Sequence, residues 1–207
     1  VIDDLILRWV VTALFVISAA ECARAIAKKP RPWTLSVSHG WHLLMAVGMA
    51  VMAWPWGVRL PATGPAVFFL LGAVWFVAVA VAAGPIRDRL ALDGYHALMM
   101  LATAWMYAIM DPHLLGTQPA TPMPGMEMMP GMDMDAAHMS GSNGHPVWFS
   151  ATNWVGVVGF AAAALWWTYR YFHRRQHEPV GCSLSQLVQA MLAAGMSILF
   201  LAALFPI

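Results

Sequence analysis

Charge is scarce in this sequence: of 207 residues, 11 are Lys or Arg and 10 are Asp or Glu, while 60% are apolar. A water-soluble domain carries about 25% charged residues, so this chain cannot build a surface of ordinary polarity, and its solvent is expected to be a bilayer. Cysteine is also nearly missing. Cys22 and Cys182 are the two present, which excludes a disulfide framework. No glycine-rich nucleotide-binding motif occurs, so any transport would be passive, gradient-driven or partner-driven. The acids Asp93 and Asp111 are isolated, and no nucleophile is visibly paired with a base. The expectation is a protein that is not an enzyme, and a formal net charge of +1 gives no reason to expect a nucleic-acid partner.

What the chain has instead is apolar length. Six stretches, Leu5 to Ile26, Ser38 to Trp54, Gly64 to Ala83, Asp93 to Met110, Val147 to Phe172 and Leu184 to Phe205, each approach the ~20 residues that a spanning helix needs. The second and fourth are the shortest. The fold class expected is an all-α integral membrane protein of about six transmembrane helices, organised as 1–110, a loop over 111–146, and 147–207. Basic residues orient it. Arg24, Lys28, Lys29 and Arg31 follow the first stretch, Arg87 and Arg89 the third, and Arg170, Arg174 and Arg175 the fifth, which leaves Arg8 and Arg59 on the other side. Short loops rich in Lys and Arg stay in the cytoplasm, so both termini and the 111–146 loop are expected outside the cell membrane. The first stretch reads as a span rather than a cleaved signal, because Asp3 and Asp4 precede it and the basic cluster follows it.

Two segments separated by 54 positions match: His39-Gly-Trp-His42-Leu-Leu-Met45 and Asp93-Gly-Tyr-His96-Ala-Leu-Met99. The first and second stretches therefore form one copy, and the third and fourth another, of a parallel internal repeat. Each copy carries a stripe. His42, Met45, Met49 and Met52 fall at i, i+3, i+7 and i+10, one helical face. His96, Met99, Met106 and Met110 repeat it, with Thr103 replacing the second methionine. Methionine is also a flexible filler of irregular cores, but an imidazole at the foot of each stripe, expected near the cytoplasmic end, points to ligation, since polar groups at membrane depth face a partner or a pathway.

The 111–146 loop contains no Lys or Arg and is rich in Pro, Gly and Ser, so it is expected to be disordered. Within it lie Met123, Met126, Met128, Met129, Met132, Met134 and Met139, seven of the chain's 16 methionines. Thioethers are neutral, soft donors suited to Cu(I), need no deprotonation and cannot form disulfides. His138 and His145 add imidazoles, and Glu127, Asp133 and Asp135 make the segment attractive to cations. His113, close to Met110 at the outer end of the fourth stretch, could receive an ion from it.

The His-Gly-Trp-His of the second stretch, its Met-Ala-Val-Met-Ala-Trp-Pro-Trp end and the Gly-Tyr-His-Ala-Leu-Met of the fourth resemble an uncharacterised family of small multi-pass membrane proteins from actinobacteria, a domain of unknown function. That resemblance covers most of the chain and implies an architecture without an activity. More loosely, the methionine loop is similar to Met-rich segments of bacterial copper-resistance proteins and copper importers, which also carry the intramembrane Met-x-x-x-Met found here as Met45 and Met49. The importers are much shorter, so their mechanism does not transfer. The function expected is capture of Cu(I) outside the cell and its passage into or across the membrane, with a cuproenzyme or copper chaperone as a partner and a homo-oligomer as a further option. Two other classes remain open at this point: a b-type haem electron carrier using His42 and His96 as axial ligands, and an accessory or assembly subunit whose methionines only pack.

Overall fold

The computed structural model describes residues 4–27, 33–57, 61–82, 87–111, 147–175 and 180–205. Six helices account for them: α1 (Leu5–Ala27), α2 (Trp33–Met52), α3 (Thr63–Ala82), α4 (Arg87–Met110), α5 (Val147–Arg175) and α6 (Val180–Leu204). Among the described residues there is no strand. The reason lies in the composition. Runs of apolar side chains 20 or more residues long satisfy all their backbone groups only by coiling.

Five of the helices are long and apolar enough to cross a membrane, α4 being the exception. Its first two turns hold Arg87, Asp88, Arg89 and Asp93, and Gly94, Tyr95 and His96 then delay the apolar run. The exterior fits the same solvent. Leu70, Leu71, Val74, Val77 and Val81 on α3 and Val155, Val158 and Leu165 on α5 are exposed, an inversion of the usual apolar-inside rule that lipid makes favourable.

Consecutive helices pair into three antiparallel hairpins, whose ends are tied by polar contacts. Trp54, just past α2, donates from Nε1 to Thr12 Oγ1 on α1 at 3.1 Å, and the Arg8 guanidinium lies 5.4 Å from the Trp54 ring. Thr63 at the start of α3 donates to Asp111, next after α4, at 2.7 Å. Ser197 on α6 donates to the Val157 carbonyl on α5 at 3.0 Å. Between hairpins, α1 packs on α6, where Phe15 fills the space beside Gly195. A Cβ added there would meet the Phe15 ring at 2.7 Å, and that ring is fully buried. Gly195→Val should therefore cost about 1–3 kcal/mol through forced repacking, read as a fall of several degrees in the melting temperature of the detergent-solubilised protein; an unchanged melting curve would mean that α1 and α6 separate there without cost.

Helix bounds move the two histidines. The second and fourth apolar stretches suggest starts at Ser38 and Asp93, whereas α2 begins at Trp33 and α4 at Arg87, because Ser, Thr and the charged residues are carried inside the first turns. His42 and His96 thus each follow the helix start by nine residues, roughly 13 Å along the axis at the α-helical rise. They stand near mid-helix rather than at the foot.

Candidate functional site

Both stripes face the interior. On α2, His42, Met45, Met49 and Met52 are buried, and on α4 so are His96, Met99, Thr103 and Met106; Met110, in the last turn, is half-buried. The 54-residue offset matches His42 with His96, Met45 with Met99, Met49 with Thr103 and Met52 with Met106 as rungs in sequence register, and the first of these is in contact. Thr103 donates to the Met99 carbonyl at 2.9 Å, so its hydroxyl proton is spent on its own helix. Tyr107 bridges the two helices, donating to the Gly48 carbonyl at 3.0 Å.

The histidine rung is in direct contact. The two imidazoles meet edge to face, with centroids 4.4 Å apart at 81°, and Phe76 of α3 touches both at 5.4 and 5.3 Å. His42 Nδ1 lies 2.7 Å from the Ser38 carbonyl oxygen one turn earlier. A carbonyl only accepts, so the proton sits on Nδ1 and Nε2 carries a bare lone pair. That nitrogen is buried, and it has no hydrogen-bond partner among the described residues. An imidazole whose Nδ1–H is fixed on a carbonyl while its other nitrogen stays open is the arrangement that orients a metal ligand. A buried acceptor left unpaired costs about 1–3 kcal/mol, which is a reason to look for what would pair it.

His96 is held from the third hairpin. Gln189 of α6 places its amide nitrogen 3.1 Å from His96 Nε2. In this orientation the amide nitrogen donates and His96 Nε2 accepts; with the amide turned over, its oxygen would accept from an Nε2–H instead. The Gln189 amide oxygen is buried without a partner, and so is that of Gln186, one turn away on α6. The donors gathered here are neutral: two imidazoles, a carboxamide and the thioethers of the next rung. Among the described residues, no three His, Cys, Asp or Glu side chains converge on a point. Asp93, on the face of α4 one turn before His96, does not complete such a group.

The ring spacing bears on haem. Axial ligation by two histidines holds a macrocycle between the rings, with roughly 2 Å of metal–nitrogen bond on each side. Rings in edge contact at 4.4 Å leave no such gap.

Of the residues singled out in the sequence, His113, Met123, Met126, Met128, Met129, Met132, Met134, His138, Met139 and His145 lie outside the described residues. Cys22 is buried in α1 as a free thiol. Sequence reasoning passed over Gln186, Gln189, Met100, Met196 and Asn153, all buried or partly so. Two glutamines at i and i+3 in an otherwise apolar span were a signal, since such side chains need a partner at depth; Met100 and Met196 follow no histidine and carried none. Asn153 of α5 accepts from Trp105 Nε1 at 3.4 Å, beside an apolar cavity of about 680 Å³ between the second and third hairpins, lined in part by Ala66, Tyr95, Leu98, Trp105, Gly156 and Phe160.

A family described as "Domain of unknown function (DUF5134)" matches residues 34–203. The chain is 58% identical, over 100% of both sequences, to the "Uncharacterized protein Rv0970" of Mycobacterium tuberculosis (strain ATCC 25618 / H37Rv) and, at the same identity and coverage, to the "Uncharacterized protein Mb0995" of Mycobacterium bovis. No solved structure matches.

Proposed function

The chain belongs to the DUF5134 family, a domain of unknown function, and we propose from its site that it is a membrane protein that binds Cu(I) and passes it inward from the extracytoplasmic face. The observation that carries this reading is the bare, buried Nε2 of His42, set against His96 at the start of a ladder of buried thioethers. Imidazole and thioether together suit Cu(I), and neutral donors hold it without proton release. In this reading all six helices span, α4 included, since helices two and four must run in parallel for the rungs to pair. The distribution of Lys and Arg supports both termini outside, which sets the methionine loop on the same side as Met52, Met106 and Met110. The loop collects the ion, and the rungs conduct it from thioether to imidazole at mid-depth. Delivery proceeds across the membrane or laterally to a cuproenzyme.

Metal analysis of the purified full-length chain tests the reading. Loaded with copper under reducing conditions, the protein should retain Cu(I) through gel filtration, and X-ray absorption should report mixed sulfur and nitrogen ligation. Retention of no more copper than a detergent blank would sink the proposal and leave a packing role for the methionines. That alternative finds its own support in Met45, Met49, Met99, Met100 and Met196, all fully buried, as gap-filling side chains are.

A further inference from the structure

The donor set around the histidine rung specifies the charge of its ion. Moving an ion from water into a low-dielectric interior has a cost that grows with the square of its charge, so a divalent ion meets about four times the penalty of a monovalent one. Protein sites that accept divalent ions offset that penalty with anionic ligands, carboxylates or thiolates, or with at least three imidazoles, and this pair has two. The side chains and carbonyl described against the pair are uncharged, and the titratable neighbour that acts on both rings, His39 one turn before His42, is itself an imidazole. The Ser38 carbonyl fixes His42, Phe76 lies against both rings, and a carboxamide caps His96. Gln189 occupies the place where a carboxylate would complete a site: its amide nitrogen is 3.1 Å from His96 Nε2, and its oxygen is buried and unpartnered. A half-turn of the amide would exchange that oxygen for the nitrogen, uncapping the lone pair while keeping the side chain in place.

We propose that the His42–His96 pair is a site for a singly charged soft cation, and that Gln189 is the residue that excludes divalent ions by contributing a neutral amide where a carboxylate would fit. This rests on the copper reading above and adds to it the discriminating residue. Gln189→Glu changes one atom group without changing shape, and it converts a neutral shell into one with three convergent ligating side chains.

The test uses full-length protein and two inorganic probes, Ag(I) for the monovalent soft ion and Co(II) for the divalent one, whose d–d absorption reports ligation. His42→Ala, introduced into each background, separates this site from the loop. Wild type should bind Ag(I) in a His42-dependent manner and show no His42-dependent Co(II) band. Gln189→Glu should gain a Co(II) band, with at least tenfold tighter Co(II) binding, that disappears in the Gln189→Glu/His42→Ala double variant. Gln189→Leu, which keeps the shell neutral and is available if the Glu variant fails to fold, should still bind Ag(I) and refuse Co(II). A His42-dependent Co(II) band in wild type or in the Leu variant overturns the proposal. So does a Gln189→Glu protein that binds Ag(I) but takes up no more Co(II) than wild type, an outcome that leaves the copper reading standing. Wild type without His42-dependent Ag(I) binding removes both.

Discussion

His42→Ala should abolish the membrane-embedded Cu(I) site while leaving the fold in place. The substitution removes the one imidazole nitrogen among the described residues that is buried and unpartnered, and it orphans only the Ser38 carbonyl, which belongs to the helix ladder. Loss of a group that merely orients a ligand typically costs 10–100-fold in metal affinity, so loss of the ligand should exceed about 100-fold at this site. Relief of the unpaired buried acceptor, about 1–3 kcal/mol, offsets the cavity that the lost ring leaves beside Phe76 and His96, so stability should be nearly unchanged. The measurement is a competition titration of purified protein against a Cu(I) chelator, alongside a melting curve. Equal Cu(I) affinity in the two proteins would return His42 to a packing role. A large fall in melting temperature would mean that its contact with Phe76 and His96 is structural before it is anything else.

Deletion of Met123 to His145 should produce the second large effect, a loss of more than half of the Cu(I) equivalents that the chain holds. The segment offers seven methionines and two histidines, donors for more than one ion, against the single site proposed at His42, on which the remaining binding should depend. The pH dependence separates its two ligand types. An imidazole with an ordinary pKa of about 6.5 gains a proton below that value and releases its metal, whereas a thioether has no proton to gain. At about pH 5 the contribution of His138 and His145 should vanish while the methionine-bound copper persists, so the difference between full-length and deleted protein survives acidification. A loop whose whole Cu(I) capacity disappears between pH 7 and pH 5 would assign the binding to histidine alone.

The two experiments report on different regions, and their combination distinguishes a pathway from a tether. If both losses occur and are additive, the loop and the rung bind independently. If removal of the loop slows Cu(I) arrival at His42 without changing the final affinity there, the loop acts as the capture arm.

The histidines illustrate how far local pattern carries and where it stops. Their periodicity with methionine, and the 54-residue offset between copies, were legible because a helix repeats every 3.6 residues and a duplicated hairpin preserves its register. Their position along the helices was not legible, because Ser, Thr and charged residues bound an apolar run without bounding a helix, and α2 and α4 begin earlier, at Trp33 and Arg87. Backbone groups entering a membrane must bond internally whatever side chains they carry.

By itself, the sequence determined the all-helical class, the six helices among the described residues, the match between the two histidine segments and the identity of the two stripes, since each of these follows from composition and short-range spacing. Tertiary structure alone decided that His42 and His96 touch, that the Ser38 carbonyl holds His42 Nδ1, and that the third hairpin reaches in through Gln189. Those facts join residues 54 and 93 positions apart. Helix packing sets such distances through the shapes of many side chains at once, Phe15 against Gly195 and Phe76 against both rings among them, and no local pattern encodes that sum.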